Sequence, residues 1–469
     1  MATDTEQALC EIKLDQNGAN GHDEAESKPP QTIGFFHPEL KKQRGEAYRR
    51  WALTILGLGV YILTVLSIYW GALFTVYDNL SNITVWIVDF DAKSAPYNDS
   101  TTTPIVGPFI TNVFANLQPQ TGTNLGWTVK SAADFNYDPI AVRQGIYDED
   151  ASVAIIVNAN ATTLLQHAVN SGNSSYDPAG AAQIIYNTAR DSTTMSSYIL
   201  PALLDVLFPL LSEFGKEWAS ILAQNTTTQN VFRTPQAVNP GIAFTLIDLR
   251  PFAPATGTPA ISIGLIYLII ISFFSFSFLM PIHALFMASK DHAPIHKAHL
   301  LIWRVTSSIV AYFFLSFFYS LVSLAYQIPF TNSSAPHTES ALNANAYGSG
   351  SFVVYWMLNW VGMTALGLPS ENMAMILGTP YASLWLVFWV ITNVATSFYS
   401  IVLESDFYRW GYAWPLNRIV HGSRTIIFDT KSAIGEDFGI LFAWCAVSIL
   451  FFPFASWVMQ WKTARAQRK

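Results

Sequence analysis

From Trp51 through Tyr77 the chain carries no Asp, Glu, Lys or Arg. No other feature restricts its fold as strongly. Crossing the hydrocarbon core takes roughly 20 apolar residues, and lipid offers no partner to backbone polar groups, so such a run must be a helix. It is too long for the apolar part of a cleaved signal peptide, which runs about 7–15 residues. Five further apolar runs, at 260–286, 305–328, 352–368, 382–403 and 438–461, predict five more spanning helices. The run at 352–368 is the shortest and is interrupted by Asn359. Charged residues make up 12% of the chain, against about a quarter in soluble domains. The runs are continuous, which excludes a barrel, whose strands alternate.

Lys and Arg concentrate on the cytosolic side of membrane proteins. Lys41, Lys42, Arg44, Arg49 and Arg50 crowd the entrance to the first span, so the N-terminus is expected in the cytosol. Six spans return the C-terminus to the same side, where Lys462, Arg465, Arg468 and Lys469 agree. The basic stretch "SKDHAPIHKAHLLIWR" falls inside as well, whereas Arg409, Arg418, Arg424 and Lys431 break the pattern by falling outside. N-x-S/T sequons occur only in the two segments that this topology turns outward. Asn98, Asn160, Asn173, Asn225 and Asn332 are the glycosylation candidates, and Asn79 and Asn82 lie close to the bilayer. Cys10 and Cys445 both fall outside the outer segment, which therefore has no disulfide and needs an ordinary apolar core.

The organisation that follows is a polar tail (1–48), a first transmembrane helix (49–76), an extracytoplasmic domain (77–259), a five-helix transmembrane region (260–461) and a short tail (462–469). Within 77–259, "NITVWIVDFD", "LGWTV" and "SVAIIV" read as strands. Thr103-Pro104, Asp138-Pro139 and Asp177-Pro178 each give the cap-then-proline signature of a helix start. Alternating strands and helices argue for an α/β domain. Its 15 acidic against seven basic residues suit a solvated surface. The expected fold is thus an all-α bundle of six membrane helices with an α/β domain inserted between spans one and two.

Asp89 and Asp91 end the first strand on one face. Two carboxylates so placed suit a divalent ion, as in metal-dependent sugar transferases, or a strand running into a polar turn. The turn is the reading adopted. His292, His296 and His299 share a helical spacing that fits zinc, but Pro294 interrupts it and an interfacial helix is preferred. No phosphate-binding G-x-x-x-x-G-K-[ST] motif is present. Within the spans as bounded, His283 is the one ionisable residue well inside, which leaves no obvious proton relay. Near the end, "ESDFYRWGYAWPLNRIVHGSRTIIFDTK" is rich in aromatics and arginine. Tyr408, Trp410, Tyr412 and Trp414 suit an interfacial belt. Alternatively the element is re-entrant or meets headgroups, with Arg409, Trp410, Arg418 and Arg424 as contacts for lipid phosphate or an amphiphilic substrate.

"GLPSENMAMILGTP", "FWVITNVATSFY" and "FYRWGYAWPLNR" with "IIFDTK" are similar to the fungal nitrosoguanidine-resistance membrane protein family. One span, an outer domain opening on "VDFD", and five spans also resemble the membrane half of ABC-type exporters and phage-infection-protein relatives. This resemblance implies resistance to toxic compounds, by export or by altered lipid distribution, and it carries over no catalytic residue. The expectation is a non-enzymatic, exporter-like protein without a cofactor, in the plasma membrane or, alternatively, an endomembrane. Expected partners are membrane lipids and amphiphilic or toxic small molecules, with a separate ATPase or a homo-oligomer as open alternatives and no nucleic acid. A non-transporting lipid organiser is the alternative role, and a metal-dependent transferase a third.

Overall fold

The first membrane helix, α1 (Lys41–Phe74), starts within the basic stretch, ten residues before its apolar run. Glu46 pairs with Arg50 at 2.7 Å and with Arg49 at 3.0 Å, so charges one turn apart extend the helix into water. The computed structural model describes residues 33–98, 102–117, 124–225, 228–286, 293–330 and 347–467. Residues up to Tyr61 form one unit and residues from Ile62 a second. In the first, Arg44 donates to the carbonyls of Phe35 and His37 at 2.6 and 2.9 Å, closing the turn before the helix.

The second unit contains a five-stranded sheet and a helical bundle. The strands are β1 (Thr84–Asp89), β2 (Gly126–Lys130), β3 (Val153–Val157), β4 (Ala182–Tyr186) and β5 (Phe244–Asp248). Their order is β2-β1-β3-β4-β5, parallel except for the antiparallel β3–β4 pair. Side chains alternate between faces along each strand. Val85, Ile87, Val153 and Ile155 pack under α2 (Val106–Asn116), α4 (Ala161–Ser171) and α5 (Leu200–Asn225). Trp86, Val88, Ala154 and Ile156 pack against α3 (Pro139–Tyr147). Burial on both faces is why β3 reads as an unbroken apolar run.

The α3 start is the one expected: Asp138 accepts from the Ile140 amide at 2.8 Å with Pro139 next. Two other starts shift. Asp177 caps a turn of three residues, Pro178–Gly180, which leads into β4 rather than a helix. Helix α2 begins at Val106, not Pro104, because the Thr162 hydroxyl receives the amides of Ile105 and Val106. The third expected strand is joined by β4 and β5, neither anticipated from the sequence.

The bundle comprises α6 (Ile266–Ala284), α7 (Lys297–Ala325), α8 (Ser351–Leu377), α9 (Ala382–Ala395), α10 (Pro415–Phe428) and α11 (Ile434–Gln467). Among the described residues six helices are long and apolar enough to span a membrane. Five agree with the expected spans. The sixth, Ser192–Gln224, contains α5, whose Ile199, Leu203, Leu207, Leu210, Phe214 and Trp218 belong to the sheet core. Its opposite face exposes Glu213, Lys216 and Glu217, so its hydropathy reflects amphipathic packing on the sheet. The expected span at 382–403 is helical only over Ala382–Ala395. Its 14 residues cover about 21 Å at the helical rise. The remainder continues as a short 3-10 turn, Ile401–Leu403.

Asp89 and Asp91 hold the sheet to its helices. The Asp91 carboxylate is fully buried and accepts from the Gly107 amide at 3.0 Å, the Thr162 amide at 3.0 Å and the Thr162 hydroxyl at 2.5 Å. It thus serves the N-terminal turns of α2 and α4 together, where helix dipoles favour an anion. Burial raises its pKa, and the bonds from Thr162 and Gly107 oppose that shift. Asp89 accepts from the Asp91 amide at 2.9 Å and pairs with Lys93. A Cβ on Gly107 would lie 1.9 Å from Asp89 Oδ1. Replacing Asp91 by Ala strands three buried donors, at about 1–3 kcal/mol each. Asp91→Ala and Gly107→Ala are therefore expected to lower the thermal midpoint of the full-length protein in detergent. Asp89→Asn should have the smaller effect, and a wild-type midpoint in Asp91→Ala would contradict this account.

Candidate functional site

Serine recurs along one face of α7. Arg304, Ser308, Tyr312, Ser316, Ser320 and Ser323 are all buried, at spacings of four or three residues. Such spacing sets them one above another on a helix. Nineteen steps at 1.5 Å carry this stripe about 28 Å, close to the thickness of the hydrocarbon core.

Most levels of the stripe find a partner on α6 or α8, while the Ser316 hydroxyl donates within α7 to the Phe313 carbonyl at 3.0 Å. Arg304 Nη2 donates to Glu371 Oε1 at 2.8 Å, and the Ser308 hydroxyl to Glu371 Oε2 at 3.0 Å. Arg304 is 3% and Glu371 2% exposed, so the charges neutralise one another out of contact with water. The guanidinium also lies over the Phe452 ring, 5.3 Å from its centroid. One step along, Tyr312 donates to the Ser272 carbonyl at 3.3 Å. Its ring comes so close to α8 that a Cβ on Gly367 would lie 2.5 Å from the phenol oxygen. Asn359 then donates to the Ser320 hydroxyl at 3.0 Å, and Tyr355 donates to the Ala260 carbonyl at 2.9 Å beside Ser323. The result is a polar seam from one end of the bundle to the other. His283 is buried near its Arg304 end on α6, with no hydrogen-bond partner at either ring nitrogen.

Glu371 overturns the expectation that the spans hold no acidic residue. The apolar run ends at residue 368, but the helix continues through Pro369 to Leu377 and carries the carboxylate into the bundle. Arg304 likewise lies one residue before the expected start of its span and inside α7.

Beside the seam, α6 and α7 leave a groove of about 560 Å³. Ile271, Leu315, Phe318 and Val322 make it apolar, and Tyr319 and Ser323 bring hydroxyls to it. Phe318 and Val322 are exposed, so the groove opens sideways. The hydroxyl of Thr256, at the edge, is buried without a hydrogen-bond partner.

The residues singled out from the sequence lie elsewhere. Arg409 is exposed and paired with Asp406 at 2.7 Å. Trp410 joins an aromatic cluster, its ring 4.7 Å from that of Trp414. Arg418 is buried, donating to the Tyr412 carbonyl at 2.5 Å and pairing with Glu436 at 2.9 Å. Arg424 donates to the Arg190 carbonyl at 2.6 Å. The last two guanidinium groups are thus engaged within the chain. Asn98 and Asn173 are exposed and Asn160 is half-buried at the start of α4. Asn225 ends α5, and Asn332 lies outside the described residues. His292 also lies outside them, while His296 and His299 face one another with rings 5.8 Å apart. Among the described residues no group of three His, Cys, Asp or Glu side chains is arranged to hold a metal ion.

The family described as "Protein of unknown function (DUF3533)" matches residues 54–450. The chain is 28% identical over 454 residues to the uncharacterized endoplasmic reticulum membrane protein YJR015W of Saccharomyces cerevisiae. That alignment covers 91% of this chain and 83% of the yeast protein. No solved structure matches.

Removing one partner of a buried ion pair costs about 3–5 kcal/mol, whereas apolar replacement of both is often neutral. Arg304→Ala and Glu371→Ala should each lower the unfolding midpoint in detergent, and Arg304→Met with Glu371→Leu should recover most of the loss. Additive losses in the double variant would show that the two groups act separately.

Proposed function

The chain belongs to that family, and from this premise we propose that it moves amphiphilic molecules between the leaflets of its membrane. The observation that carries the reading is the apolar, sideways-opening groove running beside a polar seam of bilayer length. An acyl chain fits the groove, while hydroxyl and amide groups along α7 and α8 replace water around a headgroup. Lipid redistribution and export of toxic amphiphiles are then one activity on different substrates. The resemblance to nitrosoguanidine-resistance proteins supports a protective role of this kind. No enzymatic step is required.

In this reading the termini are cytosolic and the sheet-containing segment is extracytoplasmic, as the Lys and Arg bias and the sequons favour. The arginines that broke the charge pattern support it too, since Arg418 and Arg424 are bound internally. The relative's name favours the endoplasmic reticulum, with the plasma membrane as the other candidate. Movement is downhill, or driven by a separate ATPase on the cytosolic side. The second reading, a non-transporting lipid organiser, is favoured by one observation: the seam is closed by direct contacts such as Asn359–Ser320.

Reconstitution separates the two. Vesicles containing the protein and a tail-labelled fluorescent phosphatidylcholine should lose inner-leaflet label to added dithionite, whereas protein-free vesicles should not. Ser316→Leu with Ser320→Leu should slow this at least about tenfold, a barrier rise of 1.4 kcal/mol, and should lower the thermal midpoint because Asn359 loses its acceptor. Ser316→Ala, whose hydroxyl bonds only within α7, should slow it at an unchanged midpoint. Equal bleaching with and without protein would favour the organiser. Glycosidase treatment that leaves the mass unchanged in Asn98, Asn160 and Asn173 peptides, together with surface-accessible termini, would reverse the orientation.

A further inference from the structure

Where the chain leaves α1, a cavity of about 760 Å³ opens against residues 401–412. Asp78, Asn79, Glu404, Asp406, Arg409 and Tyr412 contribute to its walls. Glu404 is 4% exposed, and neither carboxylate oxygen has a hydrogen-bond partner. Its backbone carbonyl accepts from the Asn79 side chain at 3.2 Å, which fixes the residue in place.

Among the described residues no cation pairs with this carboxylate. Arg409 is engaged by Asp406 at the surface, Arg418 by Glu436, and Arg190 lies 3.6 Å from Glu149. The charged group that acts on Glu404 is another acid, Asp191, and the phenols of Tyr408 and Tyr412 lie within its electrostatic range. A buried carboxylate without a partner must stay protonated or take a cation from outside. Burial, and secondarily Asp191, push Glu404 up to about 9.

A hard metal ion wants six to eight oxygen ligands, which one buried carboxylate does not approach. An organic cation is larger, sheds its hydration readily, and is attracted by aromatic faces such as that of Tyr412. The cavity begins at Thr75 and Asp78, directly after the apolar part of α1, at the level where lipid headgroups and membrane-partitioned amines concentrate. We propose that this cavity binds an organic ammonium group, with Glu404 as its counter-ion. The site is separate from the α6–α7 groove, and the proposal does not rest on transport.

The ligand's source is either a free amine or the headgroup of an amphiphile, and two probes distinguish them: tetramethylammonium and dodecyltrimethylammonium. Neither carries a titratable proton, so binding at neutral pH must expel the proton of Glu404. Calorimetry on the full-length protein should then give an affinity rising about tenfold per pH unit between pH 6 and 8, levelling near 9. The facing groups are Asp191, Tyr408, Tyr412, Asp78, Asp406 and Arg409. Burial raises the phenols of Tyr408 and Tyr412 above their ordinary value, so both stay neutral through this window.

Glu404→Gln mimics the protonated form and should keep the wild-type midpoint at pH 6. It should weaken binding at pH 8 at least tenfold and abolish the pH slope. The sign also predicts stability. With its folded pKa raised, the contribution of Glu404 is complete below its ordinary value near 4.5 and falls away as pH climbs towards 9. Glu404→Gln should therefore flatten that decline. As a check that leaves Glu404 intact, Arg409→Ala removes a positive charge from the cavity wall, frees Asp406 and should tighten binding. Binding of both probes assigns the site to free amines, and binding of the alkylated probe alone assigns it to amphiphiles. Failure of both to bind, unchanged affinity in Glu404→Gln, or weaker binding in Arg409→Ala would overturn the proposal.

Discussion

A lipid interior offers no hydrogen-bond partners, so the polar groups of the bundle depend on other protein atoms. Helix α8 is where that constraint is met. It packs against α6, α7, α9, α10 and α11 together and is buried almost without break from Val361 to Asn372. Gly362 and Gly367 let Ile419 and Tyr312 approach its backbone directly. Glu371, Asn359 and Asn372 are tolerated there because Arg304, Ser320 and the Ser448 carbonyl stand opposite them. Remove α8 and the polar stripe of α7 faces lipid.

The sheet is joined to this bundle through α10 and the residues before it. Arg250, just after β5, pairs with Asp429 at 2.9 Å, and Phe252 packs on Phe428 with ring centroids 5.0 Å apart. Arg424 reaches the Arg190 carbonyl, Lys431 the Asp148 carbonyl, and Thr194 receives the Ser400 amide. These ties come from several strands and helices, so a shift of α10 displaces the sheet as a body. The same segment supports the Glu404 cavity and, through Leu416, the end of α9 by way of Asn393.

The membrane helices were legible wherever their neighbour is lipid. The run at 51–77 is exposed along most of its length, so it meets acyl chains and must be apolar all round. Helix α8 was the weakest of the expected spans for the opposite reason: its neighbours are protein, and Asn359 and Glu371 have partners that a hydropathy pattern does not register. The four-residue recurrence of Ser308, Ser316 and Ser320 was available in the sequence and pointed to a buried face. The pairing of Arg304 with Glu371, 67 residues apart, was not. Within the sheet, β1 and β3 stood out by their apolar runs. Strand β4 was concealed by Asp177-Pro178, whose cap is real but opens a single turn. Helix α5 escaped because its apolar positions pack on a sheet that local pattern alone does not reveal. The aromatic and arginine-rich segment was recognised as unusual, but its inward role depends on acceptors as distant as Arg190.

The composition of α8 also bears on how the protein is made. A charged residue at the centre of an inserting helix costs about 2.5–3.5 kcal/mol at the translocon and less towards its ends, and α8 carries Glu371 six residues before its end together with Asn359, Asn372 and Pro369. On its own it is a poor candidate for partition into lipid. Helices α6 and α7 precede it in the chain, so Arg304 and the serine stripe are already in the bilayer when α8 emerges from the ribosome. Partition of α8 is then an assembly step rather than an independent insertion, with the neighbouring helices acting as its solvent.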